Sequence, residues 1–441
     1  MNAAQNRPSA TADTSDNPGR PPHFRRNYLA HLADGWLIGG GMAFIHSNTV
    51  LPTIVKNLGG TVWLISLVPV VARAGGLLSP LLTAHHFDVR RRYKPVVNVA
   101  GVLLRLPYAL AAATLLLLAS RWPQVALAAV LLAPLLSGTA WGLASNAWWQ
   151  LVAHTVPHGR RASLMAGRAL GGGVIALGAG WCVKRILDAH PGTHGYGLLY
   201  LLGSVMMFLS YGAYLLVRER PHEVPARREH RTLWENLGSM PGMVVRNKML
   251  ACFLGPVLLM NAMILLLPFL PLHAVHVLGK PDSYVGELVI FQTLGMLGGN
   301  LLLGYLGDRF GGKLLMVIGA GAFLAVCGAT PLAGTRAGFR TVFLLLGASS
   351  YGWMLGIQVL ALELAPTGRR SSFLAAMGVA RLVGMLGAYA VSACLPSHET
   401  GMGLRAALAG AATLASVLLL LRVEEPRKAA PAPAPKHGFD P

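Results

Sequence analysis

The sequence predicts an all-α membrane protein with twelve transmembrane helices in two six-helix bundles, and three observations lead there. The 441 residues are 54% hydrophobic and only 12% charged, with a mean hydropathy of +0.53, whereas a soluble chain of this size carries about 25% charged residues. The apolar residues gather into repeated runs of about 20, which one aqueous core cannot bury but which span a bilayer as helices. The basic residues behind the formal net charge of +20 cluster in short segments between those runs. That is the pattern of loops at a membrane face, and it excludes nucleic acid as the partner.

Residues 1–24 are rich in Pro, Ser, Asn and Ala and have no apolar core, so they read as a disordered tail and not as a cleaved signal peptide. The N-terminal bundle occupies 25–217, entered by the basic edge His23–Asn27, with spans at about 29–55, 62–86, 95–119, 123–153, 162–186 and 196–217. A polar linker over 218–249 follows, rich in Lys, Arg and Glu, whose middle (232–237) suits a short surface helix. The C-terminal bundle runs over 250–423, with spans at about 250–278, 283–307, 314–333, 339–365, 370–395 and 402–421, before a disordered tail at 424–441. With both tails placed in the cytoplasm, cytoplasmic segments hold 25 of the 37 Lys and Arg and the outer loops hold seven. The asymmetry orients the chain with both termini inside, in a plasma membrane, which in a bacterium is the inner membrane. Cys182, Cys252, Cys327 and Cys394 all lie within or beside apolar runs, a spacing that suits neither a disulfide framework nor a metal site.

An internal repeat supports the division into halves. Pro157–Ser163 (PHGRRAS) and Pro366–Ser372 (PTGRRSS) are near copies, each joining the fourth and fifth spans of its half. Between spans 8 and 9 the chain reads Gly304–Lys313, GYLGDRFGGK, a short loop in which Gly304 permits close helix packing and Gly311 and Gly312 a tight reversal. This stretch resembles the signature loop of the major facilitator superfamily, G-x-L-x-D-R-x-G-x-K. The first-half counterpart, Ala84–Lys94, keeps only the outline: Asp88 and the basic run match, while Ala84, His86, Val89 and Arg91 depart from the pattern.

The resemblance implies two bundles around a central cavity that opens alternately to each side, with spans 1, 4, 7 and 10 lining it. It also implies a cytoplasmic gate built from Gly304, Asp308, Arg309, Lys313 and Glu363 with Asp88, Arg161 and Arg370, whose contacts form in one conformation and break in the other. The alternative is that these charges anchor helix ends at the headgroups. The resemblance further implies a small-molecule substrate, lipid around a monomer, and no cofactor.

Ionisable residues deep in the spans are the next signal, since each costs roughly 2.5–3.5 kcal/mol at a helix centre unless partnered or wet. Arg73, Arg105, Arg168 and Arg381 are deep, Arg405 sits near the outer surface, and the acids are only Asp34 and Glu287. A cationic surplus favours an anionic solute, which a guanidinium holds bidentately, with Arg168 and Arg381 as the substrate-binding candidates. Alternatively Arg73, Arg105 and Asp34 form structural pairs within the first bundle. Asp34 and His46 are candidates for proton coupling, against a structural salt bridge for Asp34 and a packing role for His46. Asn48, Asn146, Trp148, Asn261, Tyr351, Trp353 and Gln358 add the amides and aromatics that suit an organic solute.

The expected function is therefore secondary active transport of a small organic solute, anionic and proton-coupled on this reading. The competing reading is export of amphipathic metabolites or drugs by proton antiport. The glycines of span 5 (Gly167, Gly171, Gly172, Gly173, Gly178 and Gly180) loosely resemble the antiporter motif of drug exporters, but its Gly-Pro pair is missing and span 4 has no Arg. No P-loop is present. An embedded enzyme would need a catalytic cluster, and His85 and His86 beside Asp88 come nearest in what otherwise reads as a basic anchor. A transporter-like sensor is the remaining alternative.

Overall fold

The computed structural model describes residues 23–83, 91–221, 238, 248–364, 370–397 and 400–423. In the first half α1 (Phe24–Phe44) and α2 (Val50–Asn57) make up the first span, followed by α3 (Val62–Thr83), α4 (Lys94–Leu117), α5 (Pro123–Thr155), α6 (His158–Ala189) and α7 (Thr193–Leu215). In the second, α8 (Lys248–Leu259), a 3₁₀ turn (Met260–Leu265) and α9 (Leu270–Val277) make up one span, followed by α10 (Tyr284–Phe310), α11 (Gly312–Ala329), α12 (Arg336–Leu364), α13 (Arg370–Cys394) and α14 (Met402–Leu421). Among the described residues, ten segments are long and apolar enough to cross a membrane. The apolar part of α3, Val62–Leu77, is shorter, and α1, with Arg25, Arg26, His31 and Asp34, is not among the ten.

The first span of each half is broken rather than continuous as the hydropathy suggested. In the first half the carbonyl of His46 accepts from the N–H groups of Thr49, Val50 and Leu51, which stops α1 and restarts the chain as α2. In the second half Pro268 and Pro271 bring no N–H, so the helical ladder lapses between the 3₁₀ turn and α9.

In the first half α1 packs on α6 and α7, α4 on α5 and α7, and α3 on α5; in the second, α12 packs on α10 and α11, α14 on α8 and α11, and α13 on α8 and the 3₁₀ turn. Two seams join the halves, α6 with α10 and α3 with α13, and the repeat relates one to the other. The α6/α10 seam is tight because glycines face it. A Cβ on Gly286 would collide with the Lys184 backbone N and lie 2.6 Å from the Gly180 carbonyl oxygen.

The repeat also appears in detail. Lys94 Nζ donates to the carbonyls of Leu215 (3.0 Å) and Val217 (2.6 Å), closing the exposed end of α7. Its counterpart Lys313 donates to Leu421 (3.1 Å) and Val423 (2.5 Å), closing α14 in the same way. In each half the signature lysine thus holds the last carbonyls of the sixth span. These contacts mark one end of the molecule, called here the terminal end; the other is the far end.

Candidate functional site

A buried carboxylate, Asp34 on α1, lies where four helices of the first half meet. Its carboxylate takes Arg168 Nη2 of α6 at 2.8 Å, accepts from Ser210 Oγ of α7 at 2.7 Å, and has Arg105 Nη2 of α4 at 3.5 Å. Arg105 is otherwise fully engaged, donating to the Gly101 carbonyl (2.7 Å), Ser210 Oγ (2.9 Å) and the Met207 carbonyl, beneath the Tyr211 ring. Arg168 donates to the His31 carbonyl and lies 5.2 Å from the Trp148 ring centroid. His31 Nε2 pairs in turn with Thr155 Oγ1 at 3.2 Å. Two guanidiniums over one carboxylate leave this buried cluster with one uncompensated positive charge.

Arg168 stands where two cavities meet. One, of about 500 Å³, lies inside the first bundle; Tyr108, Trp141, Trp148 and Trp149 give it aromatic walls, with Asp34 and Arg105 at its polar end. The other, of about 450 Å³, lies between the bundles, with His46, Arg168 and Gly172 on one side and Thr293, Asn300 and Tyr351 on the other. Ile38, Met42 and Arg168 belong to both linings. Among the described residues, the central cavity therefore has one arginine on its wall and no carboxylate.

The expected site residues divide accordingly. Arg168, His46 and Tyr351 come together at the central cavity, and Asp34 and Trp148 at the inner chamber. Tyr351 donates to Asn300 Oδ1 at 2.6 Å, and His46 Nδ1 pairs with Thr49 Oγ1 at 2.9 Å. Asn48 accepts from Arg73 at 3.4 Å, away from both linings. Asn146, Asn261, Trp353 and Gln358 line neither cavity: Asn261 donates back to the Val257 carbonyl (2.8 Å), Trp353 packs in the second bundle's core, and Gln358 is exposed. Arg381 on α13 also stands outside both linings.

Around the expected gate the geometry differs from the sequence reading. Helix α10 continues to Phe310, so the loop shrinks to Gly311, whose φ of 86° only glycine adopts readily. A Cβ on Gly304 would meet nothing within 4 Å; the close approach falls at Gly312, where it would lie 2.5 Å from Leu360 N and 2.7 Å from the Gly356 carbonyl oxygen. Arg161 donates to the Ala153 (2.7 Å) and Val156 (3.1 Å) carbonyls and so closes α5, while Arg309 lies beside the Phe310 ring. Glu363 is half-buried near the terminal end of α12. Asp88 and the side chains of Asp308 and Arg370 lie outside the described residues, as do His85 and His86.

Arg405, expected near the outer surface, lies in the first turn of α14 at the far end, with its side chain wholly buried. It donates to the Ser392, Leu395 and Pro396 carbonyls at the end of α13, to Ser392 Oγ and to the Leu265 carbonyl, with the Phe269 ring 3.7 Å away. At the far end Asp282 of the second half accepts from Tyr196 Oη (2.9 Å) and Asn57 Nδ2 of the first. Sequence reasoning missed this latch, because Asp282 reads as an ordinary loop acid.

A helical membrane protein whose halves repeat one another and meet at two seams around a central cavity has the architecture of an alternating-access transporter. The Major Facilitator Superfamily model matches residues 162–389, more than half of the chain, and the chain belongs to that family. Solved transporters share the fold. The nucleoside transporter NupG matches at a TM-score of 0.69 and 13% identity, covering 91% of this chain and 100% of that one. A D-xylose–proton symporter matches at 0.68 and 16%, covering 92% and 99%. A bacterial homologue of the iron transporter ferroportin, in its inward-facing state, matches at 0.64 and 17%, covering 90% and 98%. No curated protein matches the chain significantly.

Proposed function

We propose that the protein is a secondary active transporter for a small organic anion, working as a monomer in the plasma membrane with both termini in the cytoplasm. The observation that carries this reading is the central cavity, which among the described residues presents Arg168 and no carboxylate. A solute bearing a carboxylate or phosphate gains a charge-assisted, bidentate partner there, while a cation meets only repulsion. Thr293, Asn300 and Tyr351 on the opposite wall offer hydrogen bonds to the neutral part of the solute.

The same geometry suggests how a proton is coupled. Arg168 is shared between Asp34 and the cavity, so an incoming anion competes with Asp34 for the guanidinium. On this reading Asp34, left with Arg105 and Ser210, is the group through which solute binding at Arg168 is linked to the proton. NupG and the xylose symporter are, by their names, a nucleoside and a sugar transporter; at 13% and 16% identity they support the fold and not this substrate.

One observation favours the competing export reading. The chamber inside the first bundle is apolar and aromatic, and an amphipathic compound would fill it through Trp141 and Trp148. Counterflow in proteoliposomes separates the two. Arg168→Gln should abolish counterflow of organic anions while leaving neutral or cationic amphipathic compounds unaffected. Undiminished anion counterflow in that variant would sink the anion reading.

A further inference from the structure

The α3/α13 seam holds two arginines that have no acidic partner among the described residues. Val70 and Met385 pack in one buried cluster on one side of them, and the Leu77 carbonyl lies 3.8 Å from where a Cβ of Gly378 would stand on the other. Arg73 is three residues past Val70 and four before Leu77; Arg381 is three past Gly378 and four before Met385. At about 1.5 Å per residue these antiparallel helices place Arg73 and Arg381 at the same depth to within about 2 Å. Their charges act on each other across the seam. Arg73 has two long hydrogen bonds, to the Pro69 carbonyl and Asn48 Oδ1, both 3.4 Å. Arg381 has no hydrogen bond or ion pair among the described residues.

The repeat supplies a second argument. The alignment of Ala84 with Gly304 carries Arg73 onto Thr293, and that of Pro157 with Pro366 carries Arg381 onto Gly172. Both counterparts line the central cavity at the other seam. The arginine pair thus occupies the symmetry-related position at the opposite seam.

We propose that Arg73 and Arg381 form an oxyanion site bridging the two bundles, at which a carboxylate, phosphate or sulfate group held between the guanidiniums draws the α3/α13 seam shut. Without the anion, two like charges in a low-dielectric seam push the bundles apart; with it, each fork gains a partner and the repulsion becomes a bridge. The group comes either from the transported solute or from a free inorganic ion. Only the first source rests on the anion-transport reading.

Ser66, fully buried and 2.9 Å from Ser392 Oγ across the same seam, reports closure. The test uses the full chain in nanodiscs, with the four native cysteines replaced and Ser66→Cys added, labelled by a small maleimide in chloride, sulfate, phosphate or succinate at equal ionic strength. An oxyanion should slow labelling about fivefold or more relative to chloride. Arg73→Gln or Arg381→Gln should abolish the difference, and the double variant should label slowly in every salt because the repulsion is gone. Slowing by sulfate or phosphate assigns a free ion; slowing by succinate alone assigns the solute's own group. Equal rates in all four salts, or a response that survives in the glutamine variants, overturn the site. Adding Arg168→Gln to the same background should leave the response intact, so a failure of the cavity reading shows in counterflow and a failure of the seam site shows in labelling.

Discussion

Asp34 sets the electrostatics of the first bundle, because Arg105, Arg168 and Ser210 all converge on its carboxylate. Asp34→Asn would leave two buried guanidiniums without a counter-charge, and removing one partner from a buried ionic group typically costs about 3–5 kcal/mol. Arg168→Gln should cost less, about 1–3 kcal/mol, since Asp34 keeps Arg105 and Ser210 and Arg168 borders a cavity. Thermal unfolding of the two variants side by side checks the order; equal losses would mean that Arg105 does not compensate Asp34. The sequence made Asp34, Arg105 and Arg168 conspicuous, because a charge inside an apolar run is rare. It did not show which arginine meets Asp34, since that depends on how α1, α4 and α6 are rotated against one another. Ser210 gave no signal, as a serine in an apolar helix is ordinary. The burial of Arg405 gave no signal for a related reason: nearly all its partners are backbone carbonyls, which no residue letter announces.

At the scale of elements, hydropathy located the spans well but drew them too straight. The breaks after α1 and α8 come from a carbonyl serving three N–H groups and from two prolines without N–H, and neither changes the mean hydropathy of a window. Glycines carry the packing at the seams, and their positions decide which are needed. Gly286 and Gly178 are both glycines in apolar helices, yet a Cβ on Gly286 meets the α6 backbone while one on Gly178 meets nothing within 4 Å. Gly286→Val should therefore wedge α10 away from α6 and stop solute counterflow while the circular dichroism spectrum stays helical. Gly178→Val should leave counterflow near the parent level. Equal activity in both variants would show that the α6/α10 seam need not close during transport.

For the whole molecule, the question is what holds the closed face closed. Hydrogen bonds join the bundles in the far half: Asn57 and Tyr196 to Asp282, and Ser66 to Ser392. The far end is thus latched, and opening it means giving up the Asp282 contacts while the seams slide. A half-exposed acceptor of two bonds contributes about 1–2 kcal/mol net, which corresponds to about a 5- to 30-fold shift between closed and open far ends. Asp282→Asn should weaken the latch by this amount without unfolding either bundle, because Asp282 sits in the short connection between α9 and α10. Spin labels at His194→Cys and Thr335→Cys, both exposed and on opposite bundles, report the separation directly. With the four native cysteines replaced, double electron–electron resonance should show a longer-distance population that grows in Asp282→Asn by that factor. A distance distribution identical to the parent's would mean that apolar packing of the seams, and not the Asp282 contacts, sets the balance between the two faces.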